Sequence, residues 1–100
     1  MSGDPRFHAV LREIGELHDR KQEDYGKEND PYRNVREGEE FGIPAWLNAL
    51  SRANDKMVRL KQYACRGTLA NESAEDSMKD LAVYAVIALV LHREAKNSSS

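Results

Sequence analysis

Cysteine is nearly absent from this chain of 100 residues, which holds Cys65 alone. One thiol closes no internal disulfide, so stability rests on burial and hydrogen bonding, and this usage fits a reducing cytoplasm. No sign of charge dominates. The net charge of −2 gives no global field for a nucleic-acid polymer, and only local basic patches remain available. No apolar run spans a membrane: the longest, "LAVYAVIALVL" from Leu81 to Leu91, has 11 residues, whereas a crossing helix needs ~20. The opening "MSGDPRFHAV" lacks the apolar stretch of a signal peptide. No segment alternates with period two, which removes the main signal for strands. There is no phosphate-cradling glycine loop, no Ser-His-Asp set and no metal-site spacing among His8, His18, His92 and Cys65. Glutamate is absent between Glu40 and Glu72.

Hydrophobic residues at 40% and charged residues at 32% describe one globular domain with a modest core, a size at which oligomerisation is a common remedy. The domain is read as residues 1–96, with a disordered tail at 97–100. Asp4 as N-cap and Pro5 behind it open a first helix. Its stripe is Phe7, Val10, Ile14 and Leu17, ending near Lys21, before Gly26 and Asp30-Pro31 stop it. A second helix opens at "GIPAW" with Pro44 in its first turn. Leu50, Ala53, Met57, Leu60 and Ala64 form its seam, and Gly67 ends it. A third follows "TLANES", capped by Asn71 or by Ser73 with Asp76, and runs to about Ala95. The fold class is all-α: three main helices packed as a helical-bundle homo-oligomer, with a long first connection that has room for one short helical turn. The 81–91 block reads as buried on nearly every side. Three helices hardly cover a whole helix, so one of its faces is expected to meet another copy of the chain.

Three groups of residues carry the chemistry. On the third helix Glu72, Asp76, Asp80 and Tyr84 recur every four residues. A carboxylate entering an apolar block wants a cation, either a base or a hard metal ion. On the second helix Asn48, Arg52, Asp55 and Arg59 share a face, with Lys56 adjacent. That row suits the third helix's carboxylates in an ion-pair network, or a phosphate group. In the first connection Lys21, Asp24, Tyr25, Tyr32, Asn34 and Arg36, with Trp46 just beyond, mix cations, amides and aromatic faces. That mixture grips nucleotides: cations for phosphate, rings for stacking, amides for base edges. The alternative is a loop whose tyrosines pack on the helices, but a long connection in a small domain favours function.

"LHDRKQEDYGKENDPYRNVR", "PAWLNALSRANDKMVRL" and "NESAEDSMKDLAVYAVIAL" together resemble the nucleotide modification associated domain 1 family, small all-α phage and bacterial proteins. The resemblance spans roughly residues 10 to 93, and its most specific pieces are Lys21 with Asp24–Gly26, "RANDKMVRL" and "EDSMKDLAVYA". It implies a nucleotide-related role in the cytoplasm of an infected bacterial host. The family is also loosely similar to MazG-like nucleoside triphosphate pyrophosphohydrolases, which hold Mg²⁺ with a Glu-x-x-Glu and a Glu-x-x-Asp on successive helices. Here only Asp80 of Ser77-x-x-Asp80 matches the second motif. The first has no counterpart on the second helix, although Glu13-x-x-Glu16 lies on the first.

The reading preferred from sequence is non-catalytic capture of a nucleotide or nucleotide-derived signal, with no cofactor. The pocket is helix-lined, within one chain or between subunits, and built from Lys21, Asp24, Tyr25, Tyr32, Asn34, Arg36, Trp46, Arg52, Lys56 and Arg59, with the connection as a lid. The alternative is a Mg²⁺-dependent (d)NTP pyrophosphohydrolase with metal on Glu72, Asp76 and Asp80. A further alternative is a ligand-free oligomerisation or adaptor module. The expected partners are a small nucleotide-like molecule and further copies of the chain through the 81–91 helix, with no membrane and no nucleic-acid polymer.

Overall fold

The computed structural model describes residues 3–25, 32–68 and 73–98, at backbone level only for 24, 25 and 98. The all-α class holds: four α-helices and no strand occur among the described residues. They are α1 (Pro5–Tyr25), a single turn α2 (Arg33–Arg36), α3 (Ala45–Arg66) and α4 (Ala74–Ser98), with a 3-10 turn at Glu39–Phe41 before α3. The chain divides into two compact units, Met1–Arg33 and Asn34–Ser100.

In the first unit the start of α1 follows from its sequence. The Arg6 backbone N–H donates to Asp4 Oδ1 at 2.9 Å, and Pro5 fills the first helical position, where no N–H is needed. The Arg6 guanidinium folds back to 2.7 Å from Asp4 Oδ2. That side-chain bond, and then the backbone N–H, hold the Asp4 carboxyl below its usual range. The folded value lies below the unfolded one. The cap's contribution is therefore complete above the ordinary carboxylate range and is lost as pH falls through the lowered value. The expected outcome is an acid titration step in the Arg6 amide resonance, below the usual aspartate range, that vanishes in Asp4→Asn. The helix continues past Lys21 to Tyr25, because Gln22 and Glu23 are good helix formers and no breaker precedes Gly26. Ile14 and Leu17 are half-buried, whereas Phe7 and Val10 of the same stripe are exposed.

The second unit is a hairpin of α3 and α4, the dominant helix–helix contact. Its direction is set by two contacts: Trp46 meets His92, and Lys56 meets Asp80. Going forward on α3 is going backward on α4, so the helices are antiparallel. Pro44 takes the position before α3 with an extended ψ of 142°, rather than a place in its first turn. Gly67 ends α3 in the left-handed region at φ 79°, its N–H reaching Tyr63 O, a conformation that costs glycine nothing. Of the two expected caps of α4, Ser73 is the one used. Its Oγ accepts from the Asp76 N–H at 3.0 Å, while Asn71 lies outside the described residues. At its far end α4 continues to Ser98, past the expected helix end near Ala95, and residues 99 and 100 lie outside the described residues.

The packing corrects the expected seam. Ala45, Ala49 and Ala53 are the buried residues of α3, and Leu60 is half-buried on the same side. Leu50 and Met57 are exposed. An apolar seam on α3 therefore splits between two faces, and the face toward α4 is the one with small residues. Alanines four apart make a shallow ridge that lets α4 approach closely. Opposite them α4 buries Ser77, Val83, Ile87, Ala88 and Leu91. The expectation that the 81–91 block is covered on nearly every side does not hold within one chain: Val86, Leu89 and Val90 are exposed. Val35 is held in the core by its own turn, whose carbonyl accepts from Asn48 Nδ2 at 3.0 Å.

Candidate functional site

With a turn every 3.6 residues, the buried stripe Ala45–Ala49–Ala53 gives α3 two borders. Asn48, Arg52 and Arg59 follow one border, and Trp46, Leu50 and Met57 follow the other. Lys56 lies within the stripe, one turn past Arg52. The residues proposed from sequence as one pocket thus fall on two sides of α3.

On the polar border, Asn48 is committed to Val35. Lys56 Nζ lies 3.1 Å from Asp80 Oδ2, with side-chain exposures of 18% and 12%. This is the structural ion pair anticipated for Asp80. A carboxylate and an ammonium largely removed from water are tolerable only together. Arg52 is half-buried, and its Nε is buried with no hydrogen-bond partner among the described residues. Such an atom costs free energy unless something accepts from it. Arg59 stands on the same border and is exposed.

On the other border, Trp46 is half-buried and takes the His92 ring edge-on at a centroid distance of 5.3 Å. Arg36 reaches Glu94, Nη2 to Oε2 3.0 Å. Between them lies a groove of about 310 Å³ with Pro44, Ala45, Leu91 and Ala95 in its walls. Arg36 and Trp46 are therefore brought together as expected, but around an ion pair to α4. Asn34 is exposed at the start of this unit.

The remaining residues belong to the first unit. Lys21 is half-buried on α1. Tyr32 stacks on His18, centroids 6.3 Å apart and planes 23° from parallel. Asp24 and Tyr25 end α1, and their side chains lie outside the described residues, as do Gly26 to Pro31 near the start of the proposed lid.

The proposed metal set is only partly described, since Glu72 lies outside the described residues. Asp76 is exposed in the first turn of α4, and Asp80 is engaged by Lys56. No three metal-ligating side chains converge among the described residues, and the two described carboxylates do not by themselves fit a Mg²⁺ site. No helix is long and apolar enough to cross a membrane among the described residues.

Sequence reasoning missed His92 and Glu94, the α4 partners of Trp46 and Arg36. Antiparallel register was the signal available: once Lys56 pairs with Asp80, residues near Trp46 must meet residues near His92. It also missed Ser77, the one polar residue buried completely among the described residues. No family model, no curated protein and no solved structure matches this chain.

Proposed function

We propose that this chain captures a nucleotide or nucleotide-derived signal without hydrolysing it, and that the polar border of α3 holds the ligand's phosphate. The observation that carries this reading is the buried, unpartnered Nε of Arg52. A guanidinium offering Nε and a terminal nitrogen side by side matches two oxygens of a phosphate. Arg59 adds charge from the same border, and Lys56 holds the border in place through Asp80 rather than meeting the ligand first. The nucleotide part rests on the sequence: the Lys21–Gly26 segment, "RANDKMVRL" and "EDSMKDLAVYA" resemble a nucleotide-related family. Arg36 and Trp46 stand on the other border of α3 and are not assigned to this phosphate site.

Capture is favoured over Mg²⁺-dependent pyrophosphate hydrolysis by the Lys56–Asp80 pair, because hydrolysis needs Asp80 for metal and the pair ties it to an ammonium. Calorimetric titration with dNTPs, ADP-ribose derivatives and cyclic oligonucleotides tests the reading. Saturable heat is expected with at least one class. Arg52→Gln should weaken that binding about tenfold or more, the effect of losing a charged hydrogen bond worth ~1.5–3 kcal/mol. Absence of heat with every class, or an unchanged affinity in Arg52→Gln, would remove the phosphate site.

A further inference from the structure

We infer that the outward face of α4 pairs with the same face of a second copy, antiparallel about a two-fold axis passing near Tyr84. This pairing does not depend on what the chain binds. It starts from a shortage of burial. Among the described residues the buried apolar set is Val35, Ala45, Ala49, Ala53, Val83, Ile87, Ala88 and Leu91, half of it alanine. Meanwhile α4 exposes Met78 (54%), Val86 (54%), Leu89 (50%) and Val90 (41%). A small domain with so thin a core and so apolar an outer face calls for a partner.

The pattern of that face selects a second copy as the occupant. Turned away from α3 are Glu75, Met78, Lys79, Ala82, Val86, Leu89, Val90 and Arg93, all exposed except the half-buried Lys79 and Ala82. Reversal about position 84 sets Glu75 against Arg93, Met78 against Val90, Lys79 against Leu89 and Ala82 against Val86. A surface that is its own complement under a two-fold is what an isologous contact requires. Beside the axis the match is small against large, with the Ala82 methyl leaving room for the branched Val86 of the other copy. The charges agree with the direction. Antiparallel pairing sets the acid at one end of the strip against the base at the other, twice, while parallel pairing would set like against like. Met78, Ala82, Val86 and Val90 recur every four residues, a spacing that keeps them on one packing ridge, with Leu89 beside it. Two α3–α4 hairpins joined in this way make a four-helix arrangement, with α4 central and α3 outside.

Light scattering on the full chain, with reductant present so that Cys65 cannot cross-link copies, tests the pairing. The wild type is expected at twice the chain mass at micromolar concentration. Val86→Glu is expected at the monomer mass with its helical circular dichroism retained. Arg93→Glu alone, like Glu75→Arg alone, should weaken association at least tenfold, and the Glu75→Arg/Arg93→Glu double reversal should restore it. A monomeric wild type would overturn the inference, and would mean that the face is covered within the chain or left open. A dimer indifferent to Val86→Glu would place the contact elsewhere. A dimer weakened by Val86→Glu, with no rescue in the double reversal, would overturn the antiparallel register.

Discussion

Lys56→Met is expected to lower the unfolding free energy by about 3 kcal/mol, the lower end of the cost of removing one member of a buried ion pair. The partner left behind is Asp80, whose carboxylate is 3.1 Å from Nζ and whose side chain is only 12% exposed. Very little water is available to replace the ammonium. The double substitution Lys56→Met/Asp80→Leu is expected to recover most of the loss, because an apolar pair of similar volume restores contact without charge. Urea denaturation of the three proteins measures this. Equal losses in the single and double variants would mean that packing, rather than charge, holds this part of the hairpin. The same pair bears on function. If Lys56 serves mainly to neutralise Asp80, the double variant should keep ligand affinity close to wild type, whereas Arg52→Gln should not.

Ala49→Leu is expected to cost about 2–3 kcal/mol, the upper part of the range for forcing extra methylenes into a packed contact. Ala49 is completely buried in the middle of the alanine ridge on which α4 rests, and Ser77 is completely buried on the opposing helix. A leucine there must push α4 outward along much of the hairpin, and the Lys56–Asp80 and Trp46–His92 contacts would loosen together. Ala64→Leu, at an exposed position of the same helix, is the control and should change stability by no more than ~0.5 kcal/mol. Thermal unfolding followed by circular dichroism separates the two. A tolerated leucine at 49 would mean that the alanines are not the contact surface.

Helix identity was legible in the residues because each start and stop has a local cause: Asp4 with Pro5, Ser73 with Asp76, and Gly67 in the left-handed region. Which face of a helix is buried was less legible. Leu50 and Met57 outweigh alanine on any hydropathy reading, yet Ala45, Ala49 and Ala53 meet α4, because close approach of two backbones rewards small side chains over large ones. Asp80 was read correctly as a carboxylate needing a cation, and Lys56 as one of the bases able to supply it. The division of Arg52 and Trp46 between two borders of α3 was available from the helical period alone, and grouping residues by chemistry concealed it. His92 and Glu94 could be found only with the register of the hairpin, which is a long-range fact.

Capture without hydrolysis is tested most directly by phosphorus NMR of a bound nucleotide in the presence of Mg²⁺. The nucleotide that gives saturable heat would be mixed with excess wild-type protein and followed for hours beside Arg52→Gln. Capture requires phosphate resonances that shift on binding, keep their integrals throughout, and return to the free positions in Arg52→Gln. Growth of monophosphate and pyrophosphate signals with wild-type protein would contradict it and assign Asp80 to metal chemistry instead. Resonances that never move would contradict phosphate recognition by α3 altogether.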